Sequence, residues 1–158
     1  MKQLTYILGL VLLLASCTGD KEVMAVLDKA EGYLPDYPDS AYAILQSIGS
    51  RPLRESEERS RTLLLLAEAE NKLYMQMPSD TVFQEVVDYY DRHGDANLRL
   101  KAYYLMGCIY RDRHEAPMAL QWYLDAIEKA DTLAAGCDYL TLMKVYGQMA
   151  DIYHSQLM

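Results

Sequence analysis

The sequence is short of the residues that sheets and catalytic sites are made from. Phenylalanine and tryptophan occur once each, as Phe83 and Trp122, and glycine and proline number 8 and 5. Runs of β-branched residues are nearly absent, so no stretch alternates as a strand would. Basic residues number 15 against 23 acidic ones, a net charge of −8. A chain of that sign has no general attraction for nucleic acid. There is no Gly-x-Ser-x-Gly, no P-loop and no Gly-x-Gly-x-x-Gly. His93, His114 and His154 stand far apart and never fall as His-x-x-x-His. The carboxylates are scattered along predicted helix surfaces. These absences predict a protein without chemistry of its own: no enzyme, no metal and no dissociable cofactor. Beyond the N-terminus no apolar run approaches the ~20 residues of a membrane span.

Cysteine is scarce as well. Cys17, Cys108 and Cys137 are the 3 present. The last two fall in separate predicted helices without the spacing of a disulfide framework. They read as one buried thiol and one thiol near a helix start, with a disulfide as the alternative in an exported protein.

What is present is a helix-forming vocabulary of Ala, Leu, Met, Glu and Lys, with 14 tyrosines. From Glu22, apolar residues recur at helical spacing: Val23, Val26, Leu27, Ala30 and Leu34. Pro35-Asp36-Tyr37-Pro38 breaks this helix, and Pro38 suits the first turn of the next. That helix buries Ala41, Ile44, Leu45 and Ile48 and stops at Gly49-Ser50. A long helix over 55–75 follows, and Pro78-Ser79 ends it, with Ser79 or Asp80 as a cap. Val82, Phe83, Val86, Val87 and Tyr90 form the next apolar side. His93-Gly94-Asp95 predicts a turn in which glycine is free to take positive φ. Helices over 96–112, 116–132 and 138–157 complete the chain. The reading is all-α, with about seven helices and short links that place neighbours antiparallel.

The N-terminus has the parts of a secretory signal: Lys2, the apolar run Leu4 to Leu14, then small residues. Leu14-Ala15-Ser16-Cys17 resembles a bacterial lipobox. The resemblance implies a signal peptide over 1–16, a lipid on Cys17 as the covalent attachment and a tether over 17–21. It also implies a protein lipid-anchored in the cell envelope. Cleavage there leaves 142 residues, enough for one domain with its own core, and removes only Lys2 among the charges.

An internal repeat is the strongest signal in the body of the chain. Lys101 to Ala130 resembles a tetratricopeptide repeat. Tyr103, Met106, Gly107 and Tyr110 occupy the marked positions of its first helix, and Ala119, Tyr123 and Ala126 those of its second. Small residues at 107, 119 and 126 let two backbones approach, with Gly107 facing Ala119 across a tight hairpin. Large residues at 103, 110 and 123 fill the space between hairpins. Asp131 stands where the family carries a proline. Leu66-Ala67 and Met149-Ala150-Tyr153 repeat the pair around Gly107 at spacings of 40 and 43. The resemblance covers 22–158 and implies an α-solenoid of antiparallel helix hairpins, with the last unit incomplete. The chain then reads as a fragment of a longer protein, with Leu142, Met149 and Ile152 partly exposed at its open end.

In such arrays the first helices line a concave groove that takes a peptide or protein partner. Carried over residue by residue, the groove holds Arg61 and Leu64, then Lys101, Tyr104 and Arg111, then Lys144. Glu68, Asn71, Asp112, Asp151 and His154 are its further positions. Arg61, Lys101 and Lys144 form a basic ladder suited to a carboxylate-rich segment. Glu68, Cys108, Asp151 and Gln148 replace the asparagines and the further basic residue of the family's carboxylate clamp. The whole pattern resembles bacterial lipoproteins with an N-terminal repeat array, some of which continue into a signalling or DNA-binding domain. The implied function is a membrane-anchored scaffold for protein–protein interaction, or the sensory part of a signalling protein. A glycan-binding outer-membrane nutrient-uptake lipoprotein with tetratricopeptide-like helices is the alternative. Its insertions bearing exposed aromatics have no room in links this short.

Overall fold

The computed structural model describes residues 22–49 and 56–156; the expected signal peptide over 1–16, Cys17 and the expected tether over 17–21 lie outside them. Among the described residues there are seven helices and no strand. They are α1 (22–33), α2 (Pro38–Gly49), α3 (Ser56–Lys72), α4 (Asp80–His93), α5 (Ala96–Asp112), α6 (Ala116–Lys129) and α7 (Tyr139–Gln156).

Local chemistry sets most of these boundaries. Ser79 accepts the Val82 N–H at 3.3 Å and Asp95 accepts that of Leu98 at 2.9 Å, satisfying orphan donors at the starts of α4 and α5. Asp138 caps α7 twice, taking the Thr141 N–H at 3.0 Å and the Thr141 hydroxyl at 2.6 Å. Pro38 opens α2, and Pro117 sits in the first turn of α6.

Two C-termini are closed without glycine. Tyr74 after α3 and His114 after α5 take φ of 54° and 59°. The next N–H in each case reaches back to close the turn, Met75 to the Glu70 carbonyl at 2.9 Å and Glu115 to the Tyr110 carbonyl at 3.0 Å. These two residues are 40 apart, the spacing found between α3 and α5 in the sequence repeat. Gly94 corrects one expectation, since its φ is −82°. Its lack of a side chain answers a different need: a Cβ there would lie 2.7 Å from the Tyr90 carbonyl oxygen.

The core has two parts. Leu27, Ala30 and Leu34 meet Ala41, Leu45 and Ile48 of α2 and Leu65 and Ala69 of α3. The larger part joins Leu64 and Ala67 of α3 to α4, α5, α6 and α7. Helix α3 is thus buried on two sides, Leu64/Ala67 towards one cluster and Leu65/Ala69 towards the other. Each helix from α2 to α7 packs on its neighbour in sequence, and α5 also touches α3 and α7. Residues 102–109 of α5 are all buried.

Two further expectations are corrected at the end of the chain. Helix α6 stops at Lys129, and residues 130–138 form a longer link than the sequence suggests. Asn97 holds that link to the start of α5, donating to the Gly136 carbonyl at 2.7 Å and accepting from the Asp138 N–H at 2.9 Å. Leu142 and Ile152 are buried and Met149 half-buried. The side chains left open on α7 are instead Tyr139, Leu140, Met143, Tyr146 and Tyr153. The apolar stripe of α7 is wide, and α5 and α6 cover its other side.

Candidate functional site

The contact between α5 and α6 is built on the residues singled out from 103 to 126. A Cβ on Gly107 would lie 2.3 Å from the Tyr123 ring, so only glycine lets that ring lie on the α5 backbone. The three atoms nearest a Cβ at Gly107 all belong to the Tyr123 ring, and Ala119 is buried in the same cluster. Tyr123 is fully buried, as are Met106, Ala119 and Ala126. Trp122 lies beside Tyr103 and Tyr110, with ring centroids 5.3 and 6.5 Å away. The two tyrosine hydroxyls reach α4, donating to Asp91 at 2.6 Å and to Asp80 at 3.1 Å. Lys129 lies over the Tyr103 ring at 4.6 Å and pairs with Asp91 at 2.9 Å. The Tyr103 hydroxyl titrates above the ordinary tyrosine range because burial and the Asp91 carboxylate both oppose its ionisation.

The groove candidates divide into three groups. Lys101, Tyr104 and Lys144 line one cavity of about 100 Å³, with Glu68, Asn71 and Lys72 of α3 and Thr141 of α7. Arg61 and Leu64 line a separate cavity, beside Tyr89, Tyr90 and His93 of α4. Arg111 opens on neither. It bridges three helices, donating to Asn71 at 3.0 Å and Gln148 at 2.7 Å while pairing with Asp112 at 2.7 Å. Its guanidinium fork is filled by its own protein.

Most of the basic ladder is already met by carboxylates. Arg61 pairs with Asp28 at 2.7 Å and Glu31 at 2.5 Å, and Lys101 pairs with Glu68 at 2.9 Å. The third rung differs. Cys108 and Arg111 stand where the earlier acids would repeat, and Lys144 has no ion pair among the described residues. Its charge is felt nearby. Burial opposes ionisation of Asp138, but the Thr141 hydrogen bonds and the charges of Lys101 and Lys144 hold its carboxyl below the ordinary range.

Sequence reasoning passed over Lys72 and Thr141, which line this cavity, and Asp138, which holds Thr141 in place. It also passed over the neutralised rungs, although a signal was present. Asp28 to Arg61 and Glu68 to Lys101 are both separations of 33 residues, so acid and base repeat together. Thr141 carried no signal, because it stands in register with Leu98.

Cys108 and Cys137 are both free thiols, the first buried and the second partly so. Burial raises the Cys108 thiol above its ordinary range, so it is held as the thiol. Among the described residues no three His, Cys, Asp or Glu side chains gather as a metal-binding group. No described helix is long and apolar enough to cross a membrane. Compared with protein-family models, curated proteins and solved structures, the chain matches none.

Proposed function

We propose that the chain is a non-catalytic scaffold, tethered to a bacterial membrane by lipid on Cys17, that holds an acidic segment of a protein partner. In this reading α1/α2, α3/α4 and α5/α6 are tetratricopeptide-like antiparallel hairpins stacked as an α-solenoid, with α7 beginning a further unit. The contacts of α5 with both α3 and α7 support that arrangement, since first helices touch one another along such a stack. The glycine under Tyr123 supports it too. Leu14-Ala15-Ser16-Cys17 remains the basis for the lipid and the cell-envelope location.

One observation carries the binding role: Lys144 shares a cavity with Lys101 and Tyr104 and has no carboxylate partner among the described residues. The cavity, about 100 Å³, is bordered by three lysines, Lys72, Lys101 and Lys144. The partner's acidic side chain falls between Lys144 and Lys72, because Lys101 is held by Glu68.

The test is titration of a glutamate-rich peptide into the full chain. Binding is expected to weaken with added salt, and Lys144→Glu is expected to abolish it. Unchanged binding by that variant would remove the cavity from the account. The anchor has its own test. Cys17→Ala should leave unprocessed precursor that takes up no fatty-acid analogue in cells, and normal labelling of the variant would refute lipidation.

A further inference from the structure

One buried hydroxyl is left without a partner, and it opens on a cavity. Tyr90 is only 5% exposed, yet its hydroxyl makes no hydrogen bond among the described residues. Such a group normally finds a partner, because leaving it unmet costs stability. Tyr90 lines the cavity beside Arg61, about 300 Å³, which lies between α1, α3, α4 and the start of α5. Charged groups surround the hydroxyl there. Burial holds it above the ordinary tyrosine range, Arg61 opposes that shift, and Glu31 and Glu57 add to it.

These charges do not cancel. Arg61 pairs with both Asp28 and Glu31, so one positive charge is set against two negative ones and one negative charge is left over. Glu57 lines the same cavity and adds a second, since its carboxylate has no ion pair or hydrogen bond among the described residues. The rest of the wall is rings and aliphatic carbon. Tyr89 stacks on His93 with ring centroids 4.6 Å apart, and Leu64 and Leu98 lie on the same cavity.

We propose that this cavity binds a primary ammonium group on an aliphatic stem: the side chain of a partner's lysine, or a free alkylamine. The ammonium donates to the Tyr90 hydroxyl and to the Glu57 carboxylate, and the stem lies against the leucines. Surplus negative charge and aromatic walls both favour a cation over a neutral or anionic group. A guanidinium fits less well. The two open acceptors stand on different helices, α3 and α4, where the divergent N–H bonds of an ammonium reach both. The planar guanidinium fork is matched to one carboxylate instead. The site is separate from the Lys144 cavity and does not rest on the acidic-partner reading.

The probe is n-butylammonium chloride, titrated into the full chain and followed by the amide resonances of residues 57–61 and 89–93. Saturable shifts are expected there. Butyltrimethylammonium keeps the charge and the stem but has no N–H, and should bind at least ~10-fold more weakly. Tyr90→Phe should weaken n-butylammonium by ~10-fold as well. Its melting temperature should not fall, because the ring stays and no internal hydrogen bond is lost. Glu57→Gln should weaken binding by ~3-fold, the size of an exposed ion pair. Absence of saturable binding, equal affinity for the two cations, or binding untouched by Tyr90→Phe would each overturn the proposal. So would binding seen only after Arg51 and Arg54, outside the described residues, are changed to alanine, which would make the chain its own occupant. Capped lysine, Nα-acetyl-lysine methylamide, separates the two sources. Binding at least as tight as that of n-butylammonium supports a partner's lysine, and weaker binding supports a free amine.

Discussion

Gly107 shows how much one missing methyl group decides. Alanine would improve helix propensity by ~1 kcal/mol. Against that, its Cβ would lie 2.3 Å from Cε1 and 2.5 Å from Cδ1 of Tyr123, a ring with no exposed surface and nowhere to retreat. Overpacking of that kind costs ~1–3 kcal/mol, so Gly107→Ala should lower stability in urea titrations. Adding Tyr123→Leu should recover part of the loss relative to the sum of the single changes, because the clash is with that ring. Ala119→Leu and Ala126→Leu should each cost ~1–3 kcal/mol by the same mechanism. Glu70 is a second residue with a measurable signature. Burial raises its carboxyl to about 7. The folded state then holds a proton that the unfolded chain has released, so stability falls as pH rises from the ordinary carboxylate value towards 7. Below that window both states are protonated and there is no penalty. Glu70→Gln should therefore raise the melting temperature at about pH 8 and do little at about pH 4.

At the scale of elements, α3 and α5 each end in a left-handed turn that disfavours a side chain. Tyr74 is 97% exposed at φ 54°, a conformation that disfavours any side chain. Tyr74→Gly removes that penalty and loses no packing, so it should stabilise the protein by ~1 kcal/mol in thermal or chemical unfolding. The start of α7 offers the opposite case. Asp138→Ala deletes both bonds to Thr141 and should cost ~1 kcal/mol. It should also loosen the link over 130–138, which amide exchange of Gly136 and Cys137 would report. The strain at 74 and 114 bears on the repeat as well. Two helices that end in the same uncommon way, 40 residues apart, share a backbone pattern that apolar spacing alone does not reveal.

At the scale of the molecule, charge pairing and packing tie successive helices into one series. Lys101 and Glu68 are only 20% and 15% exposed, so Lys101→Glu sets two carboxylates against each other in a partly buried place. That change should destabilise the fold as well as any ligand site, whereas Lys144→Glu breaks no ion pair among the described residues and acts on the fold only through the nearby Asp138 cap. The double reversal Lys101→Glu with Glu68→Lys should recover most of the loss, and a double-mutant cycle on melting temperature reads it. The two core clusters meet through α3, and α5 touches α3, α4, α6 and α7. Hydrogen exchange should be slowest in residues 102–109 and faster in α1 and α2.

Helix content and most helix boundaries were legible in the residues, because capping, proline position and 3.6-residue periodicity are local properties. The span of α5 came out residue for residue, since Asp95 caps it and its apolar period is strong. The small residues at 107, 119 and 126 could also be picked out, because a close backbone approach leaves that mark on composition. What faces them could not, and the ring over Gly107 emerged only when α6 was placed in register. Charge was the property least readable from sequence. Arg61, Lys101 and Lys144 look alike on a line of letters, yet two are held by acids from another helix while Lys144 stands without an ion pair among the described residues. Tertiary structure likewise decided which apolar residues of α7 are covered. A helix's own period defines the width of its stripe, but only its neighbours determine which part of that stripe meets water.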